Sequence, residues 1–600
     1  MRGEIGLGPV GDAAGLEFAG SSEPATQPTR AATADACAAA AATQINTVAN
    51  ARLLAGAARN FAANTLVPAG LPGAPTKSSP LNQDEPSRLS DLIPPGVPWE
   101  TSRRSTVVAW SDRGASMARV VILGAGIAGH TAALHLRRWL PRKHEVVVIS
   151  PNADWNWIPS NIWVGVGRME ADKVLIPLKP IYDRKGIIFH QARATAIRPE
   201  GTGGEAAPTV DFTYTDAERN GQTGSVVYHY LINATGPQLN FAATPGLGPD
   251  GHSYSVCTAD HAIEASAALH KVMATMRAGE KQRLVIGVGH GTCTCEGAAF
   301  EYAFNVEHTL RAAGLRDMAE IFYLTNEYEL GDFGVDGMQF EEQGFLQSSR
   351  MWTESLFRER GVNAITQAAV HEVMEGKLRY EQLDGKEHDL DFDFAMLLPP
   401  FKGVPLAAYD NAGNDITSKL FAPSGFLKVD ADYSGKPYDE WSAEDWPHTY
   451  ESPAYRNIFA PGIAFAPPHP ISRPRKSPNG TVITPSPPRT GMPSGIMAKT
   501  VAETIRDRIK HPDAAAHRAS MATMGAACVA SAGSGLREGS AAAMTMFPVV
   551  PDPKKYPQTG RDIAGTSGEL GLAGHWIKLL LHYMFIYKAK ARPFWWLIPE

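Results

Sequence analysis

The stretch that decides the fold runs from Arg119 to Gly129 and reads RVVILGAGIAG. Its apolar run predicts a buried β-strand, and a glycine-rich turn follows at once. That turn is a Gly-x-Gly-x-x-Gly motif made of Gly124, Ala125, Gly126, Ile127, Ala128 and Gly129. Its first glycine permits the tight turn, the second admits a pyrophosphate to the backbone, and the third lets helix and strand pack closely. A predicted helix (131–140) and a second strand (145–150) complete a β-α-β unit that binds a dinucleotide on a parallel sheet.

The expected ribose contact departs from the usual pattern. An acidic residue normally follows about 20 residues on and holds the ribose hydroxyls. Here the second strand ends at Ser150. A serine makes one such hydrogen bond, so we expect a weaker contact than a carboxylate gives. Further along, residues 230–236 and 283–287 predict buried strands, residues 394–400 and 457–462 predict strands that return to the first sheet, and residues 497–510 predict a helix.

A second glycine-rich loop, from Gly287 to Cys295, also follows a predicted strand. It is not a complete dinucleotide motif, because Thr292 stands where the third glycine belongs. The loop ends instead in Cys293 and Cys295. A helix N-terminus lowers a thiol pKa, so this position favours a reactive thiolate. Two buried, inert cysteines are the alternative interpretation.

Composition narrows the function classes. The net charge of −6 argues against bulk nucleic-acid binding, and five cysteines in 600 residues cannot form a disulfide scaffold. No run of about 18 apolar residues occurs, so no transmembrane helix is predicted, and no secretory signal or metal site is evident. Residues 1–116 are rich in Ala, Gly, Pro, Ser and Thr, which predicts a disordered leader, except for a weak helix within residues 31–61.

Several motifs occur in a specific order along the chain. They are WIPSNIWVGVG (157–167), DKVLIPLKPIYDRKG (172–186), VCTADHA (256–262), CEGAAFEY (295–302), LPPFKGV (398–404), PRTG (488–491) and AACVA (526–530). Together they resemble the sulfide:quinone oxidoreductase family over roughly residues 118 to 592. The three cysteine settings in that order are more specific than the glycine motif.

The resemblance implies an α/β fold with two Rossmann-like domains, an FAD domain and a degenerate NAD-like domain, followed by a C-terminal amphipathic membrane-docking segment. The expected division is a leader (1–116), the first part of the FAD domain (118–236), the cysteine-bearing second domain (237–395), the second part of the FAD domain (396–510) and a tail (511–600). The implied cofactor is FAD. The implied partners are hydrogen sulfide, a membrane quinone and the lipid bilayer surface; homo-oligomerisation stays open.

The resemblance also implies roles for individual residues. The catalytic cysteines match Cys257, Cys295 and Cys528. Cys295 and Cys528 bridge through sulfur over one flavin face, and hydrosulfide opens that bridge by exchange chemistry. Glu301 and His261 are candidate proton carriers; a satisfied helix carboxylate and a surface histidine are the alternatives. The cofactor-binding set comprises residues 124–129 together with Ser150, Asn161, Ala192, Thr235, Gly236, Gly462, Gly491 and the cation Lys578.

The C-terminal stretch from His575 to Pro599 mixes aromatic and basic residues with Leu, Ile and Phe. This composition predicts a monotopic segment at the headgroup boundary of a membrane, and a soluble helix packed on the core is the alternative. Phe401 and Phe585 are candidate quinone contacts. Three rival functions remain: an NADH:quinone oxidoreductase, a sulfide dehydrogenase flavin subunit that reduces a cytochrome, and a non-enzymatic flavin-binding redox sensor.

Overall fold

The structure is a computed structural model that describes residues 117–600 except 204–206, 295, 343, 490, 534 and 538. All of them belong to one compact unit, residues 107–600. The predicted leader and its weak helix lie outside the described residues, and so does Cys295.

The secondary structure is mixed throughout. The strands, in chain order, are β1 (Arg119–Leu123), β2 (Glu145–Ser150), β3 (Asp154–Asn156), β4 (Leu175–Pro177), β5 (Ile188–Arg198), β6 (Thr209–Tyr214), β7 (Thr223–Val227), β8 (Tyr230–Asn233), β9 (Pro237–Leu239), β10 (Gln282–Val288), β11 (Ala319–Leu324), β12 (Gln339–Glu342), β13 (Phe345–Ser348), β14 (Val362–Ile365), β15 (Ala368–Met374), β16 (Lys377–Gln382), β17 (Glu387–Asp391), β18 (Phe394–Leu398), β19 (Phe401–Gly403), β20 (Ala407–Ala408), β21 (Ile458–Phe459), β22 (Ala526–Ala532), β23 (Ser540–Met546) and β24 (Ser567–Gly571). The α-helices are α1 (Ile127–Trp139), α2 (Asn161–Gly165), α3 (Leu178–Lys185), α4 (Ala259–Arg277), α5 (Glu296–Ala312), α6 (Ser349–Arg360), α7 (Thr417–Leu420), α8 (Gly491–Lys510) and α9 (Leu572–Ala589).

The first sheet is built around the predicted β-α-β unit. Its strand order is β21-β8-β1-β2-β5-β6-β7, and β1 pairs in parallel with both β2 and β8. The apolar residues of β1 and β2 are almost completely buried, as expected for strands covered on both faces. Helix α1 packs against α8 over this sheet, which brings the N-termini of both helices to the same region.

Residues 282–398 contain a four-stranded parallel sheet in the order β14-β11-β10-β18 and an antiparallel sheet β15-β16-β17. The return of residues 457–462 to the first sheet is confirmed, because β21 pairs with β8. The same prediction for residues 394–400 is wrong: β18 pairs with β10 in the second sheet. Any buried strand has this apolar pattern, so the pattern does not specify which sheet receives it.

The C-terminal region is a folded subdomain. Strands β22, β23 and β24 form an antiparallel sheet, and α9 packs on β22 and β23. Helix α5, which follows the second glycine-rich loop in the sequence, packs against β22 of this subdomain. Among the described residues, no helix is both long and apolar enough to cross a membrane.

Candidate functional site

The first glycine motif has the geometry of a dinucleotide cradle. Gly124 has a φ of 88°, and a Cβ there would lie 2.3 Å from the Ala234 carbonyl oxygen. A Cβ on Gly129 would lie 2.0 Å from the Gly124 carbonyl oxygen, so close packing of helix on strand requires this glycine too. Gly126, the N-cap of α1, has no atom within 4 Å of its Cβ position and no side-chain cap. Open space therefore faces the start of α1, where free N–H groups and the helix dipole favour an anion.

Other predicted cofactor residues surround this helix start. Gly462 adopts a φ of 73°, and a Cβ there would lie 3.0 Å from the Ala128 Cβ. Gly491, the first residue of α8, faces Ile127. Gly236 has positive φ and faces open space after β8. The chain thus fits a dinucleotide cofactor here, although the contact of each residue with it stays a prediction.

The remaining predicted cofactor residues occupy buried positions further along. Ser150 ends β2 and pairs with Gln191 of β5, directly before the buried Ala192. Thr235 donates its hydroxyl to the Asn233 side chain over 2.8 Å. Asn161 is fully buried and donates to the Asn156 side chain and the Val256 carbonyl oxygen. These side chains therefore have partners within the protein.

The second glycine-rich loop is filled by protein. A Cβ on Gly289 would lie 2.4 Å from a methyl group of Leu247, and one on Gly291 would lie 2.1 Å from the Val482 carbonyl oxygen. The segment after Val482 covers the loop, since the N–H groups of Thr484 and Ser486 donate to the Gly291 and Cys293 carbonyl oxygens. Protein atoms therefore occupy the space through which a second pyrophosphate would reach the backbone of this loop.

Cys528 lies against the helix that begins after Cys295. The Cβ position of Gly297, in the first turn of α5, is 2.8 Å from the Cys528 Sγ atom. Cys528 itself is partly buried on β22. Burial raises the pKa of its thiol to about 12; the Glu301 carboxylate also raises it and Lys578 opposes the increase. Burial therefore favours the protonated thiol of Cys528 over its thiolate.

A buried ion pair stands beside this thiol. The Lys578 Nζ atom of α9 donates to Glu301 Oε2 of α5 over 3.0 Å, and both side chains are at most 8% exposed. The Ser531 N–H and hydroxyl groups donate to the other carboxylate oxygen, Oε1. Burial raises the pKa of Glu301, and Lys578 partly opposes this shift. The resemblance implies that Lys578 lies near the flavin, which stays a prediction; in the structure its ammonium group pairs with Glu301.

A group of buried carboxyls interacts electrostatically with one another, and one of them, Glu327, also acts on the Cys528 thiol. Sequence reasoning missed most of this group. Glu296, the first residue of α5, is fully buried, and neither carboxyl oxygen makes a well-formed hydrogen bond with a described residue. Burial and then Glu327 raise its pKa well above the ordinary range. Burial also raises the pKa of Glu327 to about 7 and that of Asp332 to about 6. One signal in the sequence was the position of Glu296 directly after Cys295.

The other two predicted catalytic residues lie together at the start of α4. Burial raises the pKa of Cys257 to about 11, and a hydrogen bond from its N–H group to Ser255 Oγ fixes its backbone. Burial lowers the pKa of His261, whose ring packs edge-on against Phe241. His261 N–H bonds to the capping side chain of Thr258. The structure thus groups Glu301 with Cys528 and groups His261 with Cys257.

The structure shows the neighbours of Cys293 and of the two candidate quinone contacts. Cys293 is fully buried, and its thiol donates to the Leu398 carbonyl oxygen over 3.2 Å. Phe585 of α9 stacks on Trp157, with ring centroids 4.9 Å apart. Phe401 lies on β19, which pairs with β9. Cys293 therefore has a structural hydrogen bond, and the quinone roles of the two phenylalanines stay predictions.

Comparisons with known proteins agree with this architecture. The family model described as pyridine nucleotide-disulphide oxidoreductase matches residues 118–398. The sulfide-quinone reductase of Aquifex aeolicus is 28% identical over 472 residues, which cover 78% of this chain and 91% of that protein. The X-ray structure of the sulfide:quinone oxidoreductase from that hyperthermophilic bacterium is similar, with a TM-score of 0.61 and 26% identity over 79% of this chain and 92% of that one.

A more distant structure shares the fold alone. NDH2 from Plasmodium falciparum, solved with NADH, has a TM-score of 0.51 and 14% identity and covers 80% of this chain and 97% of that one. At that identity the likeness concerns only the arrangement of domains.

Proposed function

We propose that this chain, which is a homologue of sulfide-quinone reductase, oxidises sulfide and passes the electrons to a quinone. It is an FAD-dependent oxidoreductase of Rossmann-type architecture. The observation that carries the proposal is the position of the Cys528 sulfur against Gly297, two residues after Cys295. The C-terminal subdomain thereby brings the Cys528 thiol to the first turn of α5, the helix that follows Cys295 in the sequence.

The two cysteines would perform the sulfide chemistry. We infer that Cys295 and Cys528 bridge through one or more sulfur atoms and that hydrosulfide attacks this bridge. One S–S bond breaks and one forms, so one cysteine becomes a persulfide and the other a thiolate. FAD, held by the glycine motif at the start of α1, would supply the two-electron carrier between the sulfur chemistry and the quinone. Repetition lengthens the sulfur chain, which leaves as polysulfide or elemental sulfur, and Cys257 assists its entry or release.

Glu301 would accept and return a proton at this site. Its carboxylate is close enough to Cys528 to raise the thiol pKa, and its own pKa is raised by burial. A carboxyl group with a raised pKa takes and returns protons near neutral pH more effectively than an ordinary glutamate. Lys578 and Ser531 fix the position of the carboxylate, so in this proposal they are positioning residues.

The C-terminal helix supports docking on a membrane surface. The polar and apolar faces of helix α9 are exchanged relative to those of a soluble amphipathic helix. The polar residues that are buried are His575, Lys578, His582 and Lys588. Its large apolar and aromatic residues face outward: Trp576 is 51% exposed and Tyr583 is 55% exposed, with Leu572 and Ile577 beside them. Such a face suits the headgroup boundary, where aromatic rings are favoured. We therefore propose a peripheral, monotopic membrane protein.

Anaerobic titration of the purified flavoprotein with sulfide, followed by decylubiquinone, tests the function. Sulfide should bleach the flavin and the quinone should restore its colour. Cys295→Ser and Cys528→Ser should each nearly abolish the bleaching. Cys293→Ser keeps a buried donor for Leu398, so it should leave bleaching largely intact, as should Cys37→Ser. Bleaching by NADH and not by sulfide would contradict the proposal, and full activity without Cys528 would remove the bridge.

A further inference from the structure

An open cavity of about 420 Å³ lies between β4, α3 and the chain that leaves α9. Its lining divides into two kinds of side chain. The floor is apolar and includes the buried Ile176 and Ile181, and the exposed Pro593 also lines the cavity. The basic side chains are Arg184, Lys590 and Arg592, and no acidic residue lines the cavity within the described part of the chain.

The three cations keep their charge uncompensated. None of them forms an ion pair with an acidic side chain in the described ranges; the neighbouring acid Asp183 is paired with Lys179. Arg184 donates to the Lys590 carbonyl oxygen over 2.7 Å, which ties α3 to the end of α9. Three cations around one cavity attract an anion, and the attraction falls with salt because the site is open.

The surroundings distinguish an amphipathic anion from a free one. Directly after the cavity, Phe594 is 65% exposed and Leu597 is 72% exposed, with the half-exposed Trp596 between them. The exposed apolar face of α9 lies on the same helix that ends at the cavity. A free phosphate ion gains no favourable contact from an apolar floor and an apolar rim. A phospholipid does, because its anionic headgroup is joined to apolar chains.

We propose that this cavity binds the headgroup of an anionic phospholipid, with Arg184, Lys590 and Arg592 around the phosphate and the apolar floor along the glycerol and acyl part. This site rests on the proposed membrane docking and is independent of the sulfide chemistry. It would orient the protein on the bilayer and add charge recognition to the apolar contact of α9.

Vesicle co-sedimentation of the holoprotein tests the site. Vesicles of phosphatidylcholine alone are compared with vesicles that also contain phosphatidylglycerol, each at low and high salt. Wild type should prefer the anionic vesicles, and salt should weaken the preference. The triple variant Arg184→Gln, Lys590→Gln, Arg592→Gln should lose most of it, a fall of roughly 100-fold if each cation near the surface contributes about fivefold. Binding to neutral vesicles and sulfide-dependent reduction of soluble quinone should be unchanged.

A charge-matched control uses three exposed cations of the second domain, Lys271→Gln, Arg277→Gln, Lys281→Gln, which should keep the anionic preference. Equal binding of wild type to both vesicles, or an undiminished preference in the Arg184 triple variant, overturns the lipid site. Loss of vesicle binding when millimolar inorganic phosphate is added at constant ionic strength assigns the cavity to free phosphate and also overturns it. Absence of wild-type binding to any vesicle overturns the membrane docking as well, while sulfide oxidation is judged by the flavin titration alone.

Discussion

The Sγ atom of Cys528 lies 2.8 Å from the position that a Cβ would occupy on Gly297. No side chain other than hydrogen fits between this sulfur and the first turn of α5. The contact joins residues more than 200 positions apart and brings a strand of the C-terminal subdomain to the helix that follows Cys295. The position of the sulfur therefore depends on the absence of one methyl group.

The first prediction concerns that methyl group. Gly297→Ala should force the Cys528 sulfur aside and slow sulfide-dependent flavin reduction by at least roughly tenfold, because a misplaced reacting atom loses its near-attack geometry. Alanine in a helix is otherwise about 0.5–1 kcal/mol more favourable than glycine, so a net loss of unfolding free energy in urea reports the collision. The double variant Gly297→Ala, Cys528→Ala should recover this stability. A more stable Gly297→Ala protein with normal flavin reduction would contradict the prediction.

A second prediction concerns the Glu301–Lys578 pair. Lys578→Met leaves a buried carboxylate without its cation and should cost about 3–5 kcal/mol of unfolding free energy, with a similar effect for Glu301→Gln. The double variant should recover much of the loss, because neither charge is then buried alone. Urea unfolding of all four proteins measures the coupling. The exposed pair Lys179–Asp183 is the control and should show about 1 kcal/mol of coupling or less.

The same variants separate a proton carrier from a merely structural residue. If Glu301 moves a proton, the double variant should reduce its flavin more slowly than wild type with sulfide, even though its stability is recovered. The plot of its reduction rate against pH should lose the acidic limb. A double variant with wild-type rates at every pH would assign Glu301 to structure alone.

Local patterns predicted the local structure well. Strand β1, the turn at Gly124–Gly129 and strand β2 follow from apolar runs and glycine spacing, which depend on near neighbours in the chain. Helix α8 begins at Gly491, six residues before the predicted start at Met497, because glycine and proline weaken the helical signal of its first turn. Strand β18 was assigned to the wrong sheet, since pairing partners are a long-range property.

The site was predictable only in part, because its contacts also join residues that are far apart in the sequence. The resemblance supplied Cys528 and Lys578, but not the contact of Cys528 with Gly297 or of Lys578 with Glu301, which join distant parts of the chain. Helical periodicity does not indicate that Glu296, at the first position of α5, is fully buried. The polar residues of α9 are buried because they have partners in distant parts of the chain, and sequence alone does not identify those partners.

A third prediction separates binding from folding at the glycine motif. Gly126→Ala places a methyl group in open space, so the apoprotein should unfold at nearly the same urea concentration as wild-type apoprotein. The purified variant should nevertheless hold much less flavin, because the methyl group takes the space of the pyrophosphate. Gly129→Ala is the contrasting control, since its Cβ would lie 2.0 Å from a carbonyl oxygen and should destabilise the fold itself. Flavin absorbance per polypeptide and urea unfolding measure both effects; full flavin content in Gly126→Ala would contradict the assignment.

The last prediction concerns the pH dependence of stability. Burial raises the pKa of Glu327 from an ordinary value of 4.5 to about 7 in the folded protein, so the folded state holds this proton more tightly than the unfolded state does. The resulting stabilisation is fully present below pH 4.5 and is lost as pH rises to about 7, an effect on the order of 3 kcal/mol. Glu327→Gln is neutral at every pH and still accepts the Phe333 N–H, so it should remove most of this decline. The decline that remains should come from Asp332, Glu296 and Glu301, whose pKa values burial also raises. Urea unfolding of holoprotein from pH 4 to 8 measures the slope, with exposed Glu320→Gln as the charge-matched control. An identical slope in Glu327→Gln and wild type would show that folding leaves the pKa of Glu327 unchanged and would contradict the prediction.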